Sequence, residues 1–258
     1  MWFKIKSYFL FFIKSTNKHG VHSPFVYNLV TECFNKKTAF DSLKLMASIL
    51  NYSYNNNTHI VVNDFGKGSK IFKSTNREVA KIAKVAGISK KRAALLIRLI
   101  AYLKPKSILE LGTSVGLSTA ALSIGNPNAS IITIEGCKNT AKKAEELFYE
   151  FKLSNIKLIN SEFKDALPKI VTNATFDFIY FDGNHQKEAT LNYFKECLVT
   201  ATNNSVFIFD DINWSKGMQD AWEEIKKDPK VTITIDTYFW GIVFFRTQQA
   251  KQHFTIRV

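Results

Sequence analysis

The most constraining feature of the sequence is the segment 107–118, which reads SILELGTSVGLS. Its first five residues are mostly apolar and have the length of a buried parallel strand. Gly112 and Gly116 follow, and an amphipathic stretch from Leu117 predicts a helix. Because a strand, a glycine turn and a helix in this order bring backbone N–H groups close to a ligand, the segment predicts a nucleotide-binding loop.

Two common kinds of nucleotide-binding loop are excluded because the segment lacks their characteristic residues. It has no Gly-Lys-Ser/Thr, so it is not the phosphate loop of the P-loop nucleotidases, and Thr119 stands where a full dinucleotide fingerprint has its third glycine. A second apolar run, Ser130–Glu135, ends in an acid about 20 residues beyond the glycine turn, where an acid commonly binds ribose hydroxyls.

Residues 110–116, ELGTSVG, resemble the first motif of the class I S-adenosylmethionine-dependent methyltransferases. The resemblance covers roughly residues 75–258 and implies an α/β, Rossmann-like methyltransferase sheet, mostly parallel with the last strand antiparallel, in the order 3-2-1-4-5-7-6. It also implies S-adenosyl-L-methionine as the cofactor. Another doubly wound nucleotide domain is the alternative.

The pattern along the chain agrees with this topology. Apolar strands alternate with helices after Pro105, as in a parallel sheet covered on both faces. Two last strands, at 231–236 and 241–246, are too close for a helical crossover, so they are expected to pair antiparallel. We expect residues 1–74 to form a basic, mainly helical N-terminal extension or cap and residues 75–258 to form the methyltransferase domain.

Ligands of such sheets bind at the carboxyl ends of the strands, so the residues there are the candidate site. The expected cofactor-binding residues are Glu110, Gly112, Thr113, Ser114, Gly116, Glu135, Gly136, Ser161, Glu162, Phe163 and Asp182.

Three acids, Asp182, Asp210 and Asp211, follow the fourth and fifth strands. Three converging negative charges are costly unless a cation joins them, and oxygen ligands suit Mg²⁺ or Mn²⁺. The layout resembles the metal-dependent catechol and caffeoyl-CoA O-methyltransferases. That resemblance implies a divalent ion that lowers the pKa of the acceptor hydroxyl and orients its oxygen.

His185 departs from that pattern, because the family often has a lysine three residues after the strand-4 acid. Imidazole groups in general titrate near neutral pH, so His185 is a candidate general base, with Asp182 beside it. The alternatives are that His185 ligates the metal, or that Asp182 and His185 only hydrogen-bond the cofactor or a loop.

Net charge is +13, and residues 1–104 hold 18 Lys and Arg against 4 Asp and Glu. This asymmetry suggests RNA, an anionic membrane surface or an anionic small-molecule acceptor as a partner, or else solvated helix faces. Residues 1–14 are aromatic and basic. They predict either peripheral membrane contact or a helix that packs on the main domain or on a second subunit in a homodimer.

Several further features of the sequence suggest additional sites or properties. His19 and His22 lie in a turn without an evident third metal ligand, and the loop 64–69, with Lys67, Lys70 and Lys73, would suit a phosphate. Residues 77–103 resemble a helix-turn-helix, although their apolar stripe must pack on something. The three cysteines are far apart, which indicates a reduced, cytoplasmic protein, and no apolar run has the length of a membrane span.

The sequence therefore predicts a methyltransferase that carries out metal-assisted O-methylation of a small hydroxylated substrate. The first alternative is a tRNA methyltransferase whose basic N-terminal region binds phosphates. The second is a cofactor-binding protein without catalytic activity.

Overall fold

The computed structural model of the protein describes residues 2–65, 72 and 74–258. Within these residues the helical elements match the amphipathic stretches of the sequence. The α-helices are α1 (Trp2–Lys14), α2 (Pro24–Leu29), α3 (Phe40–Tyr54), α4 (Val79–Ala86), α5 (Lys90–Leu103), α6 (Leu117–Gly125), α7 (Lys138–Glu150), α8 (Phe163–Asn173), α9 (Lys187–Cys197) and α10 (Lys216–Lys227). A π-helix, Val30–Phe34, extends α2, and 3-10 turns occupy Lys18–Gly20 and Leu198–Thr200.

The strands of the described residues are short and mostly apolar. They are β1 (His59–Val61), β2 (Asn76–Glu78), β3 (Ser107–Leu111), β4 (Ser130–Glu135), β5 (Ile156–Asn160), β6 (Phe178–Phe181), β7 (Val206–Phe209), β8 (Ile233–Asp236), β9 (Gly241–Phe244) and β10 (Gln252–Thr255).

The chain divides into two compact units. One, which we call the loop unit, comprises Lys36–Ala166, and the other, the terminal unit, comprises Met1–Asn35 together with Leu167–Val258. The predicted boundary near residue 74 remains a prediction.

In the loop unit, β3, β4 and β5 pair in parallel with β4 in the middle, which is the 3-2-1 half of the expected order. Helices α5 and α6 pack so closely that a Cβ on Gly125 would lie 2.6 Å from the side chain of Ile100. The apolar face of the predicted helix-turn-helix, including Leu96 and Leu99, is buried in this unit. The β1 and β2 strands form a separate antiparallel pair.

In the terminal unit, β6 and β7 pair in parallel, whereas β9 runs antiparallel to both β7 and β8. This is the 4-5-7-6 half of the expected order, so the predicted antiparallel pairing near the end of the chain is confirmed. The side chains of β6, β7 and β9 are all buried. Gly241 is required at the start of β9, since a Cβ there would lie 2.6 Å from the ring of Trp222.

The predicted α/β fold with a mostly parallel sheet and N-terminal helices is confirmed. One expectation was wrong: the chain does not close with the strand β9, because β10 adds to β8 in parallel. Three of the four residues in this strand, QHFT, are polar, and β10 is only partly buried, so its apolar signal was too weak to predict a strand. Among the described residues, no helix is long and apolar enough to cross a bilayer.

Candidate functional site

The glycine loop of the loop unit has the backbone conformation that its sequence predicts. Gly112 and Gly116 have φ angles of 106° and 86°, and Ser114 between them has φ 50°. A Cβ on Gly116 would lie 2.7 Å from the ring of Phe148. Gly116 is also the N-cap of α6 and offers no side-chain acceptor. Because of this, the first N–H groups of α6 are suited to an anionic or polar ligand.

Glu135, at the end of β4, is held by the backbone on both carboxylate oxygens. Its Oε2 accepts the N–H of Ser114 at 2.8 Å, and its Oε1 accepts the N–H of Cys137 at 2.9 Å. Burial raises the pKa of Glu135, and these two hydrogen bonds lower it. The carboxylate predicted to bind ribose is therefore tied directly to the glycine loop.

Glu110, on β3, has no solvent exposure. Its Oε2 accepts hydrogen bonds from Thr119 at 2.5 Å and Thr133 at 2.6 Å, which connect β3 to α6 and β4. Burial raises the pKa of this carboxyl group, although the threonine hydroxyls lower it. Its Oε1 is buried without a hydrogen-bond partner among the described residues. Thr113 continues this network, because its Oγ1 lies 2.6 Å from the Oγ1 of Thr133.

The segment before β2 reaches the residue that follows Glu135. A Cβ on Gly136 would lie 2.7 Å from the ring of Phe65, so a larger residue at position 136 would have to displace this ring. Asp64 forms a two-pronged ion pair with Arg77 beside it, with the shorter N–O distance at 2.5 Å. The predicted phosphate cradle at Lys67, Lys70 and Lys73 lies outside the described residues.

The end of β5 contributes the third predicted group of cofactor residues. The N–H of Ser161 donates to the carbonyl of Glu135 at 3.1 Å, which places Ser161 next to the end of β4. Glu162 pairs with Lys164 at 3.0 Å, and Phe163 begins α8. The structure therefore brings together the predicted residues from β3, β4 and β5, and their contact with a cofactor remains a prediction.

In the terminal unit, a group that we call the acid–histidine cluster follows β6 and β7: Asp182, His185, Asp210 and Asp211. His185 Nε2 lies 3.8 Å from Asp182 Oδ1, which is an ion-pair distance when the imidazole is protonated. Asp210 is 5% exposed, and its Oδ1 accepts the N–H of Asp211 at 2.9 Å.

Positive φ angles are concentrated in this cluster. Asn184, His185 and Asp211 have φ of 67°, 33° and 54°, a region that residues other than glycine adopt at a cost. The Asn184 turn is supported by hydrogen bonds from its side chain to Tyr193 Oη at 3.2 Å and from Gln186 at 2.9 Å. Strained backbone of this kind is concentrated at functional sites in proteins.

The predicted metal site is not formed in the described part of the chain. No group of three or more His, Cys, Asp or Glu side chains there is arranged to hold a metal ion. The three acids predicted as ligands, Asp182, Asp210 and Asp211, thus do not form a ready coordination set.

Three residues of the glycine-loop region were missed by sequence reasoning. Thr119 and Thr133 hold Glu110, and Phe65 packs at Gly136. A signal existed for the threonines, since each is a polar residue within a mostly apolar helix or strand. Phe65 had none, because its contact joins residues far apart in the sequence.

Comparison with known proteins agrees with this architecture. Residues 109–212 match the model of a family described as a methyltransferase domain. This range begins in β3 and ends just after Asp211, so it contains the glycine loop, the acid Glu135 and the acid–histidine cluster.

Solved structures share the fold. An O-methyltransferase from Bacillus cereus in complex with SAH is 19% identical, with a TM-score of 0.56, and the match covers 80% of this chain and 91% of that one. A putative caffeoyl-CoA O-methyltransferase from Staphylococcus aureus is 20% identical, with a TM-score of 0.56 over 64% of this chain and 88% of that one.

A curated relative matches over a shorter stretch. The tRNA (guanine-N(7)-)-methyltransferase of Mycoplasma mobile is 37% identical over 71 residues, which is 28% of this chain. The match spans only 35% of that relative's length.

Fold, glycine loop and family match agree on a methyltransferase domain. The chain carries this domain over residues 109–212 and has the fold of the O-methyltransferases named above. The predicted relationship to the S-adenosylmethionine-dependent methyltransferases is thereby confirmed at the level of domain and fold.

Proposed function

We propose that the protein is an S-adenosylmethionine-dependent O-methyltransferase that acts on a small hydroxylated molecule. The observation that carries the proposal is the Glu135 carboxylate, which two backbone N–H groups fix beside the glycine loop. A carboxylate held in this way is an acceptor for ribose hydroxyls. The O-methyltransferase fold of the solved structures supports the choice of oxygen as the methylated atom.

The glycine-loop residues fit the cofactor by their chemistry. The buried and unpartnered Oε1 of Glu110 suits a donor such as an amino group, and the start of α6 suits a carboxylate. When bound, S-adenosylmethionine supplies a methyl group made electrophilic by its sulfonium. The role of the loop unit in this proposal is to bind and orient the cofactor.

The role of the acid–histidine cluster in this proposal is proton transfer. His185 takes the proton of the acceptor hydroxyl at Nε2 as the oxygen becomes nucleophilic. Asp182, 3.8 Å from that nitrogen, stabilises the imidazolium that forms. This step uses only residues of the chain, so it does not depend on the metal ion that the sequence predicted.

Calorimetric titration of EDTA-treated protein with S-adenosylmethionine tests the cofactor part of the proposal. The Glu135→Gln variant is expected to lose about tenfold in affinity, because a charge-assisted hydrogen bond is replaced by a neutral one. Glu150→Gln, at an exposed position of α7, is the matched control and is expected to bind normally. Absence of cofactor binding by the unmodified protein would overturn the proposal.

The same calorimetric experiment also tests whether a metal assists the reaction. Titration with Mg²⁺ or Mn²⁺ after EDTA treatment, repeated on Asp210→Ala, distinguishes the two mechanisms. If the metal binds to the unmodified protein and not to the variant, the acids rearrange into a metal site. If turnover is unchanged by EDTA, proton transfer to His185 proceeds without a metal.

A tRNA methyltransferase is the second candidate. The relative from Mycoplasma mobile favours it, as does the excess of basic residues in positions 1–104. A protein that contacts many phosphates loses RNA affinity steeply as salt rises. Measurement of tRNA binding at two salt concentrations, followed by methyl transfer from labelled cofactor, decides between tRNA and a small acceptor. Cofactor binding without transfer to either acceptor class would instead support a non-catalytic binding protein.

A further inference from the structure

Helix α1 packs on the terminal unit through one face. Ser7 and Phe11 are buried, and Tyr238 lies edge-on to both Tyr8 and Phe11, with ring centroids 4.9 and 5.5 Å apart. The Tyr238 hydroxyl also donates to the carbonyl of Lys4 at 3.1 Å. These contacts fix how the helix is rotated about its own axis.

The opposite face of α1 is apolar and exposed. We call it the outer face; it consists of Trp2, Ile5, Phe9, Phe12 and Ile13, which are 84%, 57%, 62%, 51% and 63% exposed. Their spacing of three and four residues places them on one stripe of the helix. A contiguous exposed stripe of this size marks an interaction surface, because scattered apolar residues would be normal and a patch is not.

The charge of the N-terminal region decides what this surface binds. The first acidic residue of the chain is Glu32, whereas lysines occupy positions 6, 14 and 18, and the ammonium of a further one, Lys4, lies over the ring of Trp214. Two copies meeting through this face would bring like charges together, which disfavours self-association. An amphipathic helix with aromatic side chains and lysines, and without acids, suits the surface of an anionic bilayer.

A cationic cavity lies beside the end of α1. Its volume is about 160 Å³, and its lining comprises Asn17, Lys18, His19, Val30, Asn35 and Arg257. The lining contains three basic side chains and no carboxylate. The guanidinium of Arg257 lies 4.9 Å from the ring centre of Phe12, so the cavity adjoins the outer face.

The backbone holds these cations in place. Thr16 forms a bridge with Ile256, and the N–H of Arg257 donates to the carbonyl of Thr16 at 3.3 Å. Asn17 caps the 3-10 turn by accepting the N–H of His19 at 3.0 Å. Strand and turn contacts therefore fix the backbone of the basic residues before a ligand binds, while their side chains are exposed.

We propose that the outer face of α1 and the adjoining cavity bind the surface of an anionic lipid bilayer. The apolar side chains enter the boundary of the headgroups and acyl chains, and the cavity receives a lipid phosphate. The helix lies in the plane of the surface, since it is too short to span a bilayer. This inference does not depend on the proposed methyl transfer.

Vesicle flotation of the full chain tests the proposal. We expect binding to vesicles of equal parts phosphatidylcholine and phosphatidylglycerol and much weaker binding to phosphatidylcholine alone. Phe9→Asp is expected to weaken binding about tenfold or more, because a ring no longer enters the boundary. Tyr149→Asp is the matched control, since Tyr149 is 88% exposed on α7, and it is expected to bind as the unmodified protein does.

The contribution of the cavity is tested separately. Lys18→Ala is expected to lose about fivefold on the phosphatidylglycerol vesicles and almost nothing on neutral ones. Lys169→Ala, at an exposed position of α8, is the control. Circular dichroism and the melting temperature verify that every variant is folded.

Four results would overturn the proposal. The first is no flotation with either vesicle type, and the second is equal flotation of Phe9→Asp and the unmodified protein. The third is a sedimentation mass of two copies for the unmodified protein that falls to one copy in Phe9→Asp. The fourth is no loss of vesicle binding in Lys18→Ala. In the last case the cations serve only the carboxyl end of the helix Val30–Phe34. Inorganic phosphate that binds by calorimetry without affecting flotation would make the cavity a free-phosphate site instead.

Discussion

The glycine-loop region and the acid–histidine cluster hold their carboxylates in different ways. Both oxygens of Glu135 accept backbone N–H groups, and Glu110 is buried among threonine hydroxyls. In the cluster, Asp182 and His185 are separated by 3.8 Å, and the backbone there adopts left-handed conformations. The first arrangement is held by backbone and buried hydroxyl hydrogen bonds, whereas the second is a pair of side chains in loops that follow strands.

In the proposed function, this difference corresponds to two tasks that methyl transfer requires. Binding a cofactor of constant shape is served by backbone N–H groups, which cannot be lost by side-chain substitution. Activating an acceptor of variable shape is served by side chains at strand ends, which can be exchanged without changing the fold. Perturbing each region should therefore affect different measured quantities.

The largest effect is expected from Gly116→Val. The φ angle of 86° disfavours valine, and its Cβ would lie 2.7 Å from the ring of Phe148. We expect the affinity for S-adenosylmethionine, measured by calorimetry, to fall about a hundredfold or more. The control is Gly217→Ala, where a Cβ would meet nothing closer than 3.6 Å. Normal affinity in Gly116→Val would show that the loop does not bind the cofactor.

A smaller and separable effect is expected from His185→Asn. If the imidazole is the general base, kcat falls about a hundredfold while the Kd for the cofactor stays unchanged. Steady-state kinetics with an acceptor that turns over, together with calorimetry, measures both quantities. His22→Asn, at an exposed position of the N-terminal turn, is the matched control. An unchanged kcat would remove His185 from the chemistry, and a large change in Kd would give it a binding role.

A third effect, on stability alone, concerns Asp236, a buried carboxyl group that belongs to neither region. Burial raises its pKa from 3.8 to about 6, against the N–H of Tyr238 and the charges of Lys226 and Lys14, which lower it, while Glu223 raises it. The folded state therefore favours the protonated form, and this group's contribution to stability is lost as pH rises from about 4 to about 6.

Asp236→Asn keeps an acceptor for the Tyr238 N–H, which the carboxylate binds at 2.7 Å. We expect the free energy of unfolding of the unmodified protein, measured with denaturant at both ends of this pH range, to include a loss of about 2 to 3 kcal/mol from Asp236 as pH rises. Asp236→Asn should lack this part of the loss. Asp220→Asn, on the surface of α10, is the control. The same pH slope in Asp236→Asn and the unmodified protein would contradict the assignment.

The sequence predicted the local structure of the glycine-loop region better than that of the acid–histidine cluster. The strands β3 and β4 and the residues Gly112, Gly116 and Glu135 were all located correctly, because local apolar runs and glycines report local backbone structure. The sequence predicted that Asp182, Asp210 and Asp211 converge on a metal, but among the described residues they do not form a ligand set. Distances between side chains of separate strands depend on loop conformation, which a linear pattern does not encode.

The sequence by itself determined the alternation of strands and helices, the reversed strand β9 and the glycine loop. These features follow from residue periodicity and from the conformations that only glycine adopts readily. The tertiary structure alone decided the addition of β10, the threonine bonds to Glu110 and the exposure of the outer face of α1. Each of these depends on contacts between residues distant in the chain, and only packing determines which face of a helix remains in solvent.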